Sequence, residues 1–112
     1  MWLNYLKERD PSINVIELPE GFATYKYMDL GSAKAVYIED IFVCPEHRDE
    51  NIASKMSQMV QDKAKLDGCK YLLGTVCPES KGSTASLKVL LAHGMTLLKS
   101  EPNLVWFYKE LI

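Results

Sequence analysis

Two adjacent carboxylates, Glu39 and Asp40, interrupt an apolar run that reads Val36-Tyr37-Ile38 before them and Ile41-Phe42-Val43 after them. Successive strand residues face opposite ways, so one of the pair is expected to leave the helix-covered face for an open cleft. A carboxylate so placed can act as a general acid or base. The alternative is an ion pair with a neighbouring lysine. Downstream, a polar loop over residues 44–51 runs into a helical pattern. Helix-end amides and the helix dipole attract anions, so a pyrophosphate could bind near residues 48–53 without a dedicated cationic pocket. Asn51 also suits an ordinary N-cap, its side-chain oxygen accepting the exposed amides of the first turn.

Other reactive side chains carry less. Ser80-Lys81-Gly82-Ser83-Thr84 has the residue types of a phosphate loop but not the Gly-Lys-Ser/Thr order with an earlier glycine, which argues against nucleotide hydrolysis. Cys44, Cys69 and Cys77 form no CxxC pair and leave one thiol unpaired under any connectivity, which points to a reducing compartment and to buried core thiols. His47 could contact phosphate or substrate, although a lone loop histidine is ordinarily solvated. His93, next to Gly94, reads as a favourable charge at a helix end.

Several elements must position these groups. Residues 1–9 have a short helical pattern ended by Asp10-Pro11-Ser12, proline disfavouring helical geometry before it. Strand patterns follow over 15–18, 22–28 and 35–43, with turns at 19–21 and 29–32, which predicts a three-stranded antiparallel meander. Residues 51–67 form the clearest helix, with Ile52, Met56, Met59, Val60 and Ala64 on one stripe and Gly68 as its stop. Residues 71–77 read as a strand covered on both faces and parallel to the one before the helix. A second helix over 83–93 and a hairpin over 95–99 and 104–111 complete the chain. The fold class expected is α/β (α+β): a mixed sheet with a meander, a parallel β-α-β-α unit and a C-terminal hairpin. The organisation expected is one domain over 1–112, with a short N-terminal helix in 1–12 and the core in 13–112.

The chain has 112 residues, 47% of them hydrophobic, enough for one core and too few for two. The net charge of −2 comes from interspersed acids and bases, which does not favour nucleic acid as a partner. No apolar run is long enough to cross a bilayer, and Lys7, Glu8, Arg9 and Asp10 stand where a signal peptide needs its apolar centre. A cytoplasmic protein with no membrane partner is expected. Trp2, Trp106, Phe107 and Tyr108 are expected in the core, with pairing of the terminal strand across a homodimer as the alternative.

Residues 37–53 resemble the central motif of the GNAT N-acetyltransferases, a strand ending in V-x-P-x-x-R followed by (Q/R)-x-x-G-x-(G/A), on which Arg48, Asn51 and Ala53 take marked positions. Ile38 to Val43, I-E-D-I-F-V, is similar to the L-E-D-F-F-V of polyamine-acetylating members. The resemblance covers roughly residues 21–95, and the short chain is most like compact, phage-encoded members. It implies acetyl-CoA as co-substrate, lying between two parallel strands that splay apart. Its pantetheine would pair with the backbone of Phe42 and Val43, and its pyrophosphate would meet Arg48, Asp49, Glu50, Asn51, Ile52 and Ala53.

The resemblance also gives Glu39 the role of removing, through water, the proton of an attacking ammonium, with Asp40 beside it. Counting back from Gly94 puts Ser83, Ser86 and Leu90 on the family's second-helix asparagine, serine and catalytic tyrosine. Leucine donates no proton, so Tyr108, Cys77, His93 or water must serve as general acid. Asn51 replaces a glycine, a substitution allowed because Asn adopts left-handed geometry more readily than most residues. Asp49 and Glu50 place two carboxylates where a pyrophosphate would lie. The activity implied is transfer of acetyl to a primary amine, whether a protein lysine, an N-terminus or a small amine. The other reading is an inactive protein-binding module of the same fold.

Overall fold

The computed structural model describes residues 8, 10–48, 50–76 and 94–111. Three strands come first: β1 (Asn14–Leu18), β2 (Gly21–Asp29) and β3 (Lys34–Val43). A 3-10 turn (Pro45–His47) leads to helix α1 (Ile52–Leu66), then β4 (Tyr71–Val76), β5 (Thr96–Glu101) and β6 (Leu104–Glu110). They form one six-stranded mixed sheet in the order β1-β2-β3-β4-β6-β5. The meander, the β3-α1-β4 crossover with parallel strands, and the closing hairpin are as the sequence predicts. The helix expected over 83–93 lies outside the described residues, as does the one over 1–9 apart from Glu8.

The face of α1 toward the sheet differs in part from the expected stripe. Ile52, Met56, Val60 and Ala64 recur every four residues and are buried, whereas Met59 is exposed, and Ser57 and Gln61 take the adjoining buried positions. A helix advances about 100° per residue, so a row spaced by four drifts, and its buried neighbours here are 57 and 61 rather than 59. Gln61 tolerates burial because it is satisfied. Its amide donates to Ser57 Oγ at 3.2 Å, and Lys109 Nζ donates to its carbonyl oxygen at 3.2 Å.

Gly68, at φ +89°, ends the helix as expected, and the Cys69 amide turns back to the Ala64 carbonyl at 2.9 Å. The core beneath α1 holds Ala23, Tyr25, Val36, Leu72, Val76, Met95 and Phe107. Cys69 belongs to it, and burial pushes its thiol pKa up. Cys44 departs from the expected buried thiol: it is half-buried at the start of the loop after β3.

The end of the sheet where β2 turns into β3 is tightly tied. The Lys70 amide donates to the Lys34 carbonyl at 2.8 Å, and Lys34 Nζ donates to the Asp67 carbonyl at 3.1 Å while lying 4.4 Å from the Tyr27 ring centroid. The Tyr27 hydroxyl donates to the Asp67 carboxylate. Burial, and then that bond, raises the Tyr27 pKa, and the same bond lowers that of Asp67.

At the other end, Gly21 lets β2 approach β3 closely. It pairs with Val43, and a Cβ built on it would stand 2.0 Å from the Phe42 carbonyl oxygen, a backbone atom that no rotamer change can move. Gly21→Ala is therefore expected to lower the unfolding free energy by about 1–3 kcal/mol in urea titration. An unchanged midpoint would show that the strands do not approach this closely.

Candidate functional site

Strand β3 pairs with β4 through Ala35↔Tyr71, Val36↔Leu72 and Tyr37↔Leu73, and there the ladder ends. Both strands continue, β3 to Val43 and β4 to Val76, so beyond Tyr37 they diverge as the two arms of a fork. A side-chain bridge crosses the apex, Tyr37 Oη and Thr75 Oγ1 sharing a hydrogen bond of 2.9 Å. The Tyr37 ring lies 5.4 Å from that of Trp106, and Lys99 Nζ lies 5.3 Å from the Trp106 centroid. The Trp106 indole nitrogen is buried, with no hydrogen-bond partner among the described residues.

A bulge begins the divergence. Tyr25 pairs with Ile38 and Thr24 with Asp40, which leaves Glu39 as an extra residue on β3. Val36 and Ile38 pack on the core before it, and Ile41 and Val43 after it, so the inward set skips a position. Glu39 and Asp40 are consequently both exposed. This corrects the expectation that strict alternation sends them to opposite faces.

Glu39 forms the ion pair that was the alternative reading for it. Lys26 Nζ lies 3.0 Å from Glu39 Oε1 and 2.5 Å from Asp10 Oδ2. The bond to Asp10 and then that to Glu39 raise the Lys26 pKa. Lys26, and then the Ser12 hydroxyl, hold the Asp10 carboxyl down at about 2. Tyr108, on β6, pairs with Leu73, so β4 stands between it and β3.

The β3 arm ends in the loop that the sequence marks as an anion site. Phe42 lies half-buried, its ring 5.6 Å from that of Phe22 on β2. The Val43 carbonyl accepts from Arg48 Nε at 3.1 Å, and the Cys44 amide donates to the Glu20 carbonyl at 2.7 Å. His47 Nδ1 and Glu50 Oε2 are 3.0 Å apart. That bond, with the fields of Glu50, Glu46 and Glu20, raises the His47 pKa.

Asn51 does not cap α1 with its side chain. Its backbone is left-handed, φ 58° and ψ 27°, with no side-chain cap bond, and its carbonyl accepts from the Lys55 amide at 3.1 Å. The first-turn amides of Ile52 and Ala53 precede that first intrahelical bond and are left uncapped by Asn51. Asp49, Ser83 and Ser86 lie outside the described residues, as do Cys77, Leu90 and His93. No helix among the described residues is long and apolar enough to cross a membrane.

Residues 6–94 match the acetyltransferase (GNAT) family. Among solved structures, a protein of the GNAT family from Desulfovibrio desulfuricans is 12% identical, with 98% of this chain and 76% of that one covered and a TM-score of 0.77. A GNAT family acetyltransferase from Elizabethkingia anophelis with acetyl-CoA bound is 15% identical, covering 96% and 82%, with a TM-score of 0.76. The NatC complex bound to Gag peptide and CoA is 18% identical, covering 99% and 79%, with a TM-score of 0.74. At these identities the likeness is one of fold. No curated protein matches the sequence.

The left-handed geometry at residue 51 can be tested by substitution. Asn51→Gly is expected to hold or raise stability, whereas Asn51→Ala should lose about 1 kcal/mol because alanine keeps the Cβ that disfavours this region and lacks the short polar side chain that eases it for asparagine. Equal urea midpoints for the two variants would place residue 51 outside the left-handed region.

Proposed function

The chain belongs to the acetyltransferase (GNAT) family, and from that membership we propose that it transfers the acetyl group of acetyl-CoA to a primary amine. One observation carries the reading: the β3–β4 ladder stops at Tyr37↔Leu73 while both strands run on, so that beyond it their facing edges no longer pair with each other and can flank a slender chain. The E. anophelis fold contains acetyl-CoA, and NatC is bound to CoA and a peptide. The first supports a thioester co-substrate here, and the second supports the same coenzyme. The acceptor is a protein lysine, an N-terminus or a small amine.

The residues of the fork fit such a co-substrate. The backbone of Phe42 and Val43 borders the β3 arm and would pair with the amides of the pantetheine. The main chain around Arg48, Asp49, Glu50, Asn51, Ile52 and Ala53 would hold the diphosphate, the left-handed turn at Asn51 leaving first-turn amides for it. Ser83 and Ser86 are assigned to the same cofactor set from the family pattern. Acetyl-CoA supplies an activated acyl group, and the protein supplies position and proton transfer.

Glu39 is the proposed base. The bulge exposes it on the strand that forms one arm of the fork, and Lys26 on β2 fixes its direction. An arriving ammonium would take up the position toward Glu39 that Lys26 now holds, and lose a proton through water to the carboxylate before attacking the thioester. Asp40 adds negative charge that favours a cationic acceptor. With Leu90 at the family's tyrosine position, Tyr108 acting through water is the proposed donor to the departing thiolate, because β4 keeps it from direct contact with the β3 arm.

The ion pair of Glu39 with Lys26 favours a second reading, an inactive member that uses the fold to bind a protein. Thermal unfolding separates the two readings. Acetyl-CoA should raise the melting temperature in proportion to the logarithm of its concentration. No shift at millimolar coenzyme leaves the binding module. If the coenzyme binds, Glu39→Gln should slow transfer about 100-fold with little change in coenzyme affinity, and an unchanged rate removes Glu39 from the chemistry.

A further inference from the structure

The loop entering α1 carries more negative charge than a diphosphate site calls for. Glu20 from the β1–β2 turn, Glu46 from the 3-10 turn and Glu50 from the residues before α1 all act on His47. Arg48, the other cation of the loop, directs its Nε to the Val43 carbonyl at the end of β3. Among the described residues it is His47 that engages a loop carboxylate: its Nδ1 lies 3.0 Å from Glu50 Oε2, and the Glu50 amide donates to the His47 carbonyl at 3.3 Å. The two residues therefore close a small ring of side-chain and main-chain bonds just ahead of the left-handed turn at Asn51.

We propose that His47 is the positioning residue that turns this acidic loop into a diphosphate site. In its protonated form it holds the Glu50 carboxylate to one side and cancels its charge, so the amides at the start of α1 face an anion without the competing charge of Glu50. His47 acts through Glu50 and does not itself touch the acyl group. The inference rests on the acetyl-CoA reading given above and adds to it a dependence on pH.

The sign follows from the surroundings of the imidazole. Its bond to Glu50, with Glu46 and Glu20 nearby, raises its pKa, so the imidazolium persists nearer to neutrality than for a free histidine and is lost as pH rises through the raised value. Once His47 is neutral, Glu50 regains its full repulsion for the diphosphate. Coenzyme binding should be tighter on the acid side and weaken above it. The phosphates of the coenzyme also titrate, but identically for every variant, so differences between variants isolate the histidine.

Calorimetric titration of coenzyme A into the wild type, His47→Gln, Glu50→Gln and the double variant, at about pH 5.5 and about pH 8.5, tests this. At the acid pH, His47→Gln should bind about fivefold more weakly than the wild type, the effect of one uncompensated charge at close range. At the alkaline pH the two should bind alike. Glu50→Gln should remove the difference between wild type and His47→Gln at both pH values, so the double variant binds as Glu50→Gln does. Wild-type affinity in His47→Gln at the acid pH, or no rescue by Glu50→Gln, overturns the proposal and leaves the acetyl-CoA reading intact. If no form binds coenzyme A at either pH, both fall together.

Discussion

Two parallel strands that share only three residue pairs must be held from their outer sides, and the rest of this structure answers to that constraint. The β3 arm is zipped to β2 along its length, from Asp29↔Lys34 to Gly21↔Val43. The β4 arm is zipped to β6 from Tyr71↔Glu110 to Val76↔Val105. Each arm thus has its own antiparallel brace, and opening the fork sacrifices few ladder bonds. The tied end does the rest: Lys34, Lys70, Tyr27 and Asp67 join the strands to the end of α1, so the divergence is confined to the other end. A long inner ladder would give a stiffer sheet with nowhere to put a ligand.

The open end also carries carboxylates on adjacent residues. Two carboxylates emerge side by side because the bulge adds a residue to one strand and not to its neighbour. One of them is drawn into an ammonium bridge that reaches back to Asp10 and thereby ties the chain ahead of β1 to β3. The loop after β3 has the same character, with the His47 imidazole bonded to Glu50 and raised in pKa by that bond and by the fields of Glu46 and Glu20. Exposed pairs of this kind contribute little to stability. Their effect is on direction, since each fixes where a carboxylate points.

Much of the framework was legible in the sequence because period and punctuation determine it. Gly68 had to end a helix, and the apolar run after it had to be a strand. Residues 71–76 pair in parallel with β3 as that order requires. The inner face of α1 was less legible. Local apolarity favours Met59 over Gln61 as the buried residue, and Gln61 is buried instead with its amide satisfied by Lys109 and Ser57, contacts that no local pattern foretells. The bulge at Glu39 left no trace either, with no glycine or proline between Ile38 and Ile41. It arises from how β3 is registered on β2, which is a tertiary fact. Asn51 was legible in one sense and misleading in another: its tolerance of left-handed geometry counted, and its capping oxygen did not.

The aromatic pair at the apex gives the molecule an optical property. Of the two tryptophans, Trp2 and Trp106, the second has its indole beside Tyr37 and its nitrogen sealed from solvent, next to the point where the strands separate. Indole emission responds to polarity and to quenching groups nearby. Whatever wedges between the arms must disturb the environment of that ring. With Trp2 replaced by phenylalanine, the protein would report occupancy of its own cleft by the colour of its fluorescence, with no attached dye.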